Sequence, residues 1–479
     1  MNLRPLHLLL ALLSTFGCAE PERSEALLKG FFDGASRYPL PEYALKGPAV
    51  MSCALWSDEA YLAPEGNPET RQGATQIVEL FVEAGIPVWL LCRKSASESN
   101  LPPGLEALRG LIEAGKVVLI PHQLDAYADL DPGPWTQDYV PRALADRKGR
   151  YALVVTGYGG TNPQDEPILA VTRSAVDALV AHTQLSRIDA PFQMDGAMLT
   201  LLSMKAKTAL LSRPGMALAN GITQAADFEA LEKAVKETFG LERLRSIDTL
   251  PGDDTYHLDP FLLVPAEGQV VLAELAQLSL MKRLIEMLVP RLDPGSELAR
   301  YLDEVAQLPS DAAVEAQLAA TTKALKELGI DPQTLRYAPV FHDHLPPRKL
   351  RSASGEVKLS WRWKSLVNVA LVPAAQGSGK VAIPQYQAQE LRPMLEALLP
   401  QGVEVESILA QIDEAFETRD TDAATTYVSL GYRPQWIDAN NLTSICGAGW
   451  HCAVARLPES GSRATCTPNT TARRGRGFQ

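Results

Sequence analysis

Apolar residues along this chain recur at two spacings, one typical of helices and one of buried strands. Helical spacing predicts four helices, at residues 75–84, 105–114, 167–181 and 228–239. Short apolar runs predict strands at residues 87–92, 117–120, 151–155 and 258–264. Strands and helices that alternate in this way predict an α/β protein. Periodicity alone fits a doubly wound sheet as well as a series of repeated αβ units.

One segment is helical in pattern almost throughout and interrupts this alternation. From about residue 270 to 330, apolar residues form a stripe at helical spacing, namely Val271, Leu275, Leu278, Met281, Ile285 and Leu288. Prolines break the pattern at three points, Pro290, Pro294 and Pro309. We predict a helical insertion over about 270–345, which serves either as a substrate lid or as a plain packing extension.

The N-terminus has the pattern of a targeting segment. Arg4 precedes an apolar run that is too short to span a bilayer, and a small residue stands directly before Cys18. Residues 1–18 resemble a bacterial lipoprotein signal whose Cys18 would carry the lipid; a buried N-terminal helix is the alternative. The charged, proline-containing stretch that follows indicates a tether over residues 19–46. The sequence thus predicts export, with a lipid anchor as the contact with a membrane.

The composition is that of a folded globular protein, with 46% hydrophobic and 21% charged residues. A net charge of -12 disfavours nucleic acid as a partner, because binding phosphates requires basic patches. The same charge suits a cationic substrate, although solubility explains it equally well. The C-terminal residues 459–479 are rich in Gly, Ser, Thr and Arg and predict a disordered tail.

A glycine-spaced turn near the C-terminus delivers one cysteine to the start of a predicted apolar strand. Residues 447–452 read GAGWHC and present Cys452 as a candidate nucleophile. Two other loops supply a histidine and carboxylates, His257 with Asp259 from one and Asp138 from the other. The alternative is that the cysteine is a buried structural thiol and that the aspartates cap turns.

Cysteine, histidine and paired carboxylates suit one chemical group particularly well, the guanidinium. This cation is planar and a poor electrophile, so an enzyme that breaks one of its C–N bonds must fix its N–H groups and offer a soft nucleophile. Carboxylates accept paired N–H bonds in a fork geometry. A thiolate attacks the central carbon, a histidine protonates the departing nitrogen, and the same histidine then activates water. This chemistry requires no metal and no cofactor.

Four segments resemble, in the same order, motifs of the guanidino-group-modifying enzymes of the pentein superfamily. The similarity is to the agmatine deiminase and bacterial peptidylarginine deiminase branch, with its Trp-x-Arg-Asp-x-Gly-Pro loop, Glu-Gly-Gly turn, His-x-Asp strand start and Gly-rich turn ending in His-Cys. The matching segments here are 135–141, 194–199, 257–259 and 447–452. The resemblance implies a pentein-type α/β-propeller of repeated ββαβ modules over residues 47–458, carrying the helical insertion.

The resemblance also implies a role for each matching residue. Cys452 would be the nucleophile and His257 the general acid and base. Asp138 and Asp259 would clamp the guanidinium, and Trp135 would contribute to substrate binding.

Three positions depart from the family pattern. Gln137 stands in place of Arg, and Val140-Pro141 in place of Gly-Pro. Asp195, expected among the catalytic residues, is one methylene shorter than the Glu of the family. A shorter carboxylate can misplace the histidine or the guanidinium by about 1 Å, which costs roughly a hundredfold in rate. These departures motivate an alternative, a catalytically impaired pentein that binds a cationic guanidino ligand or peptide.

The other cysteines receive structural interpretations. Cys53 and Cys92 lie in apolar runs and are interpreted as small buried residues of strands. Cys446 is free to pair with Cys466 or with nothing. The 6 cysteines do not indicate a disulfide framework in a chain of this length.

Histidines and glycines elsewhere give weaker signals. His342 and His344 could touch one metal ion from a loop, but further ligands are not close in sequence. His451 is assigned a packing or turn role. Residues 377–380, GSGK, lack the rest of a phosphate-binding loop, so nucleotide binding is not predicted.

The sequence therefore predicts a hydrolase of a guanidino C–N bond that forms a ureido product and ammonia through a cysteine-bound intermediate. The substrate is an arginine residue of a peptide or protein, or agmatine. Export favours peptidyl arginine. Amidino transfer and hydrolysis of dimethylarginine are weaker enzymatic alternatives.

Overall fold

The computed structural model describes most of the chain between residues 37 and 459. The described residues are 37–56, 68–102, 104–146, 149–157, 166–253, 255–276, 310–351, 357–374, 378–392, 395–396, 404–439 and 449–459. The predicted signal with Cys18, the predicted tail beyond residue 459, and Cys446 and Cys466 lie outside them. The same holds for residues 277–309 of the predicted insertion.

The described strands form five sheets. The strands are β1 (Arg37–Pro39), β2 (Ala49–Ser52), β3 (Val88–Cys92), β4 (Val117–Pro121), β5 (Arg142–Asp146), β6 (Tyr151–Gly157), β7 (Ser186–Gln193), β8 (Leu199–Ser203), β9 (Thr208–Ser212), β10 (Arg243–Ile247), β11 (Leu262–Ala266), β12 (Gln269–Leu275), β13 (Leu335–Arg351), β14 (Val357–Ser365), β15 (Ala370–Val372), β16 (Gly379–Gln385), β17 (Tyr432–Asp438) and β18 (Ala455–Arg456). Their orders are β18-β2-β3-β4, β1-β5-β6-β7, β10-β9-β8, β11-β12-β13-β14 and β15-β16-β17.

Helices connect the strands. The α-helices are α1 (Pro68–Glu83), α2 (Arg109–Glu113), α3 (Thr136–Tyr139), α4 (Glu166–Thr183), α5 (Arg213–Ala219), α6 (Ala225–Phe239), α7 (Asp311–Glu327), α8 (Val405–Ser429) and α9 (Trp450–Ala453). Single turns of 3-10 helix lie at Glu42–Ala44, Cys53–Trp56, Leu105–Leu108, Asp125–Tyr127, Gly196–Met198, Pro332–Thr334 and Ala388–Leu391. None of the helices in the described ranges combines the length and apolar content needed to cross a membrane.

The sheets share one connectivity. An antiparallel strand pair is followed by a helix and by a third strand that pairs in parallel, as in β5-β6-α4-β7, β8-β9-α6-β10, β11-β12-α7-β13 and β15-β16-α8-β17. A parallel neighbour requires such a crossover, because a tight turn reverses the strand direction. In the remaining sheet the last strand, β18, pairs antiparallel with β2, which runs parallel to β3 after α1. The fold is mixed α/β and repeats a ββαβ unit.

Most predicted elements are confirmed, with shifted ends. The helical segments 75–84, 167–181 and 228–239 correspond to α1, α4 and α6, and segment 105–114 to a 3-10 turn followed by α2. Three of the strand runs match β3, β4 and β6. The fourth, 258–264, begins as a loop, and its strand β11 starts at Leu262.

The predicted helical insertion is wrong at both ends. Residues 269–275 form β12, in which Val271 and Leu272 are buried, and β13 begins at residue 335. An apolar segment that is buried on both faces carries no clear period, so helix and strand look alike in it. Helix α7 confirms the helical pattern for residues 311–327 only.

The predicted tether is also too long, because residues 37–46 belong to the fold. Strand β1 pairs antiparallel with β5, and Leu40 and Leu45 are buried. Two apolar side chains and a three-residue strand are a weak sequence signal, which explains why this segment reads as a linker.

Cys53 and Cys92 are buried as predicted, but they form a disulfide that the sequence interpretation omitted. Their Cα atoms are 5.1 Å apart, within the range that a disulfide bridges. The pairing follows from the parallel register of β2 and β3, which aligns Ser52 with Leu91 and brings the next residues together. Sequence spacing alone does not reveal this register.

Candidate active site

Cys452 lies on the single-turn helix α9, directly before β18. Gly449, the residue before α9, has no room for a side chain, since a Cβ there would lie 2.6 Å from the carbonyl oxygen of Asn368. The His451 N–H donates to Asn368 Oδ1 at 3.0 Å and fixes the turn further. The glycine-spaced sequence thus brings the cysteine close against a neighbouring loop, although a helical turn and not a strand carries it.

The thiol of Cys452 is buried and has two polar partners. It donates to Asp259 Oδ2 at 3.0 Å, and Asn368 Nδ2 donates to the sulfur at 3.3 Å. Burial raises the pKa of this thiol well above its usual range, and the charges of Asp259 and Asp138 raise it further. The cysteine is therefore a neutral thiol. Among the cysteines in the described residues, it is the free one.

His257 occupies a tightly held loop between β10 and β11. The residue before it, Tyr256, has a φ of 56°, which is uncommon for a residue with a side chain. The carbonyl of Tyr256 accepts a hydrogen bond from Ser212 Oγ at 2.6 Å, so the loop is anchored to the end of β9. Backbone strain of this kind is typical of functional sites.

Three carboxylates surround the buried ring of His257. Nδ1 lies 3.9 Å from Asp138 Oδ1 and 4.0 Å from Asp259 Oδ1, and Nε2 lies 3.8 Å from Asp195 Oδ2. Burial lowers the pKa of His257, but these charges outweigh burial and raise it to about 10. His257 is therefore positively charged at neutral pH.

Within the described part of the chain, Asp138 and Asp259 each have one oxygen without a hydrogen bond, and the two oxygens face the same place. Oδ1 of each is buried and has no hydrogen-bond partner among the described residues, and both atoms are near Nδ1 of His257. Burial, together with the charges of Asp195 and Asp259, raises the pKa of Asp138 to about 7 against the opposing charge of His257. A buried carboxylate oxygen without a partner is costly unless a ligand with N–H groups completes it.

The loops that carry these residues are joined to each other. Asp138 lies on α3, whose Thr136 Oγ1 donates to the carbonyl of Ala453 on α9 at 2.7 Å. Gly196, next to Asp195, packs against α3, because a Cβ there would lie 1.8 Å from the carbonyl oxygen of Gln137. This close approach explains why the loop has glycine after the carboxylate.

The structure brings together the predicted residues Cys452, His257, Asp138, Asp259 and Asp195. Trp135 directly precedes α3, and its half-buried side chain packs against the hydrophobic core, so a contact with substrate remains a prediction. The side chains of His342 and His344 lie outside the described part of the chain.

Besides the turn role assigned from the sequence, His451 has two side-chain contacts within the site. Its Nδ1 lies 2.8 Å from Asp259 Oδ2, and its Nε2 lies 3.0 Å from Glu42 Oε2. Burial lowers the pKa of His451, but Glu42 and Asp259 raise it to about 10. His451 is a charged member of the site.

Sequence reasoning also missed two residues that support the site, Glu42 and Asn368. Glu42 belongs to the N-terminal segment that was interpreted as a tether, and nothing in its local sequence marks it. Asn368 does carry a signal, because it is a single amide within the buried run of Leu366, Val367 and Val369. Buried amides are normally hydrogen-bonded, and this one bonds to Cys452 and to the turn before it.

One group in the described residues has the spacing of a metal site. Ligand atoms of His257, Asp259 and Cys452 lie within 4.8 Å of one another. The same three groups suffice for a covalent mechanism, in which the thiol must remain free to attack carbon.

Solved structures of deiminases share this fold. Agmatine deiminase of C. jejuni superposes with a TM-score of 0.55 at 13% sequence identity, covering 90% of this chain and 98% of that chain. A variant of that enzyme with substrate bound gives 0.54 at 13% identity, with coverage of 90% and 98%. Agmatine deiminase of Enterococcus faecalis gives 0.51 at 12% identity, with coverage of 89% and 98%. No protein-family model and no curated protein sequence matches the chain. The resemblance in sequence motifs is thus confirmed at the level of the fold.

Proposed function

We propose that this protein, which has the fold of agmatine deiminases, hydrolyses a guanidino C–N bond to a ureido product and ammonia. The observation that carries the proposal is that one carboxylate oxygen of Asp138 and one of Asp259 are buried without a hydrogen bond to any described residue, beside a thiol and an imidazolium. A guanidinium offers the planar set of N–H donors that these oxygens lack.

The cationic substrate also activates the nucleophile. Burial and nearby negative charge hold Cys452 as a thiol until a cation binds. A guanidinium bound to Asp138 and Asp259 places positive charge next to the sulfur and lowers the pKa of the thiol, because an opposite charge favours the ionised form. The thiolate therefore forms when substrate is in place.

The covalent step follows from this arrangement. The thiol proton passes along the hydrogen bond to Asp259 Oδ2 as substrate binds, and the thiolate Sγ then bonds to the central guanidino carbon. His257 gives its proton to one nitrogen, the C–N bond breaks and ammonia departs, which leaves a thiouronium on Cys452.

Hydrolysis of the adduct restores the enzyme. Neutral His257 takes a proton from water as the water oxygen bonds to the thiouronium carbon. The C–S bond then breaks as the hydroxyl group of the adduct loses its proton to solvent, the thiolate regains its proton from Asp259, and the neutral ureido product leaves. Asp195, 3.8 Å from Nε2, stabilises His257 while it is protonated.

The proposal is tested by assaying ammonia and ureido product with agmatine, free arginine and an arginine-containing peptide. We expect turnover of at least one of the three, and none with Cys452→Ala. EDTA should leave the rate unchanged, because the thiol, the imidazole and the carboxylates carry every step. Absence of turnover in the wild type, or full turnover in Cys452→Ala, would contradict the proposal.

A second function, binding of a guanidino ligand without turnover, is favoured by the distance of 3.8 Å between Asp195 and His257, too long for a strong hydrogen bond. In that case calorimetry would detect binding of agmatine or of the peptide, and no product would form.

We also propose that the five ββαβ units are arranged as a propeller. The antiparallel pairing of β18 with β2 supports this, because it joins the end of the described chain to its beginning, as closure of a ring requires. A crystal structure would test it.

Export with a lipid on Cys18 remains our proposal for localisation. The buried disulfide between Cys53 and Cys92 supports it, since structural disulfides persist mainly in oxidising compartments. An exported enzyme meets arginine in peptides and proteins, so we propose peptidyl arginine as the preferred substrate. Metabolic labelling with palmitate should mark the wild type and not Cys18→Ala; labelling of neither would contradict the lipid anchor.

A further inference from the structure

The proposed chemistry leaves one charged group of the site without a task, the carboxylate of Glu42. It belongs to a 3-10 turn near the start of the described chain, far in sequence from the other site residues. Gln137 Nε2 donates to its Oε1, and Arg142 Nη1 lies 3.4 Å from the same oxygen. The other oxygen, Oε2, is 3.0 Å from His451 Nε2. Both oxygens of Glu42 are thus held in place.

His451 connects Glu42 to the reacting groups. Its two ring nitrogens each face a carboxylate oxygen, Nε2 towards Glu42 and Nδ1 towards Asp259. Carboxylates accept hydrogen bonds only, so both nitrogens must donate, and the ring is an imidazolium. Its charge offsets one of the two carboxylates.

Asp259 is the point at which this chain of contacts reaches the cysteine. Its Oδ2 accepts from both His451 Nδ1 and Cys452 Sγ, at 2.8 and 3.0 Å. The fixed Oδ2 leaves the buried Oδ1 free and facing His257 Nδ1. The orientation of this one carboxylate therefore serves the thiol and the predicted cation together.

We propose that Glu42 is a positioning residue: through the His451 imidazolium it holds Asp259 with one oxygen on the thiol of Cys452 and the other free for the guanidinium. The inference rests on the proposed function. A cavity of about 40 Å³ adjoins these contacts, and its lining includes Glu42, Gln137, Arg142, Asp259 and His451.

The charges around the two central groups agree with this role. Glu42 faces His451 and Arg142, whose charges hold the pKa of its carboxyl at about 2 despite burial. Burial lowers the pKa of the Arg456 guanidinium, and the charge of Glu42 opposes this lowering. His451 faces Glu42 and Asp259, and its positive charge also opposes the rise in the pKa of Asp138. Without the Glu42 charge, the pKa of His451 should fall into the pH range in which enzyme activity is usually measured.

The direct test is Glu42→Gln, which keeps the size of the side chain and removes its charge. The His451 ring is observed by NMR in full-length protein with labelled histidines, assigned with His451→Gln. We expect its titration midpoint to fall by about one pKa unit or more, the shift typical of losing a close opposite charge. An unchanged midpoint would overturn the proposal. This readout needs no turnover, so it stays decisive if the protein proves not to be an enzyme.

A matched control separates this effect from loosening of the N-terminal segment. Glu267 accepts from Tyr43 Oη at 2.5 Å and from Ser203 Oγ, and so anchors the same segment without contacting His451. Glu267→Gln should leave the His451 midpoint unchanged. If both variants shift it equally, Glu42 acts only by fastening the segment, and the proposal is wrong.

Kinetics give a second readout. Once Glu42→Gln lets His451 lose its proton, Asp259 loses the positive charge that holds it, although Nδ1–H can still donate to it. We therefore expect kcat/KM relative to wild type to be within about threefold at pH 6 and to fall at least about tenfold by pH 9, the loss that misplaced reacting groups produce. Glu42→Gln should have no added effect in a His451→Gln background, since residues that act in one network are not additive. An additive loss, or a loss that is equal at both pH values, would overturn the proposal.

Discussion

At the residue scale, the site is a chain of paired charges in which each histidine is held by carboxylates. His257 and His451 both have a pKa raised to about 10, whereas the pKa of Asp138 is raised to about 7. Groups whose pKa values differ in this way suit different roles, in our proposal a proton donor for His257 and a carboxylate that binds the cation for Asp138.

These shifts predict the pH dependence of kcat/KM. A protonated Asp138 cannot hold a cation, so activity should rise as pH increases through about 7, where Asp138 ionises. A deprotonated His257 cannot protonate the leaving nitrogen, so activity should fall as pH increases through about 10. We expect a bell-shaped profile between these two limits in the free enzyme. A profile that is already falling between pH 7 and 9 would contradict the assignment.

Asp195 allows a test of the short side chain. If the distance of 3.8 Å between Asp195 Oδ2 and His257 Nε2 is a defect, Asp195→Glu should raise kcat/KM. If the pocket has instead adapted to aspartate, the extra methylene should cost about 1 to 3 kcal/mol, which lowers the rate roughly tenfold or more. Asp195→Asn is the control that keeps size and removes charge. Equal kinetics in all three proteins would remove Asp195 from the site.

Individual residues also show how far sequence could lead. Cys452, His257, Asp138 and Asp259 were predictable, because each lies in a local motif that resembles a family. Glu42 lies in no such motif, and the role of His451, although it lies in one, depends on a contact with Glu42 across a sequence separation of 409 residues. Such a contact exists only in the folded chain.

At the element scale, local patterns predicted the amphipathic helices well and the buried strands less well. Helices α1, α4 and α6 each keep one exposed face, which makes their period visible. Strand β12 is buried along most of its length, and its residues were mistaken for a helix. The pairing of β2 with β3 and its disulfide depend on register, which no short segment encodes.

The close contact between two loops of the site gives a prediction at this scale. Gly196→Ala would force a Cβ to within 1.8 Å of the Gln137 carbonyl oxygen, so the Asp195 loop must move away from α3. We expect a loss of about 1 to 3 kcal/mol in unfolding free energy and of roughly a hundredfold in kcat/KM. Gly110→Ala is the control, because a Cβ at that helical position meets open space. Equal behaviour of the two variants would show that the loops are not in contact.

At the scale of the whole molecule, the beginning and the end of the described chain both contribute to one site. Glu42 comes from the N-terminal segment, and Cys452 precedes β18, which pairs with β2. We therefore expect the site to form only when both ends of the described chain are in place.

Truncation tests this dependence. A chain that begins at residue 37 should keep full activity, because it retains β1 and Glu42. A chain that begins at residue 47 loses both, together with the buried side chains of Leu40 and Leu45, each of which stabilises the fold by about 1.5 to 3 kcal/mol. Thermal denaturation and turnover should both fall sharply in the shorter chain. Unchanged activity from residue 47 onward would show that the N-terminal segment is a tether after all.

The role of Cys452 as nucleophile can be observed without steady-state kinetics. Wild-type protein mixed with a guanidino substrate and quenched in acid within milliseconds should show, by intact-mass spectrometry, an added mass equal to the substrate less ammonia. Peptide mapping should locate that mass on Cys452, and Cys452→Ala should lack it. If ureido product forms while no adduct appears on Cys452, or if the adduct lies on another residue, the cysteine is not the nucleophile.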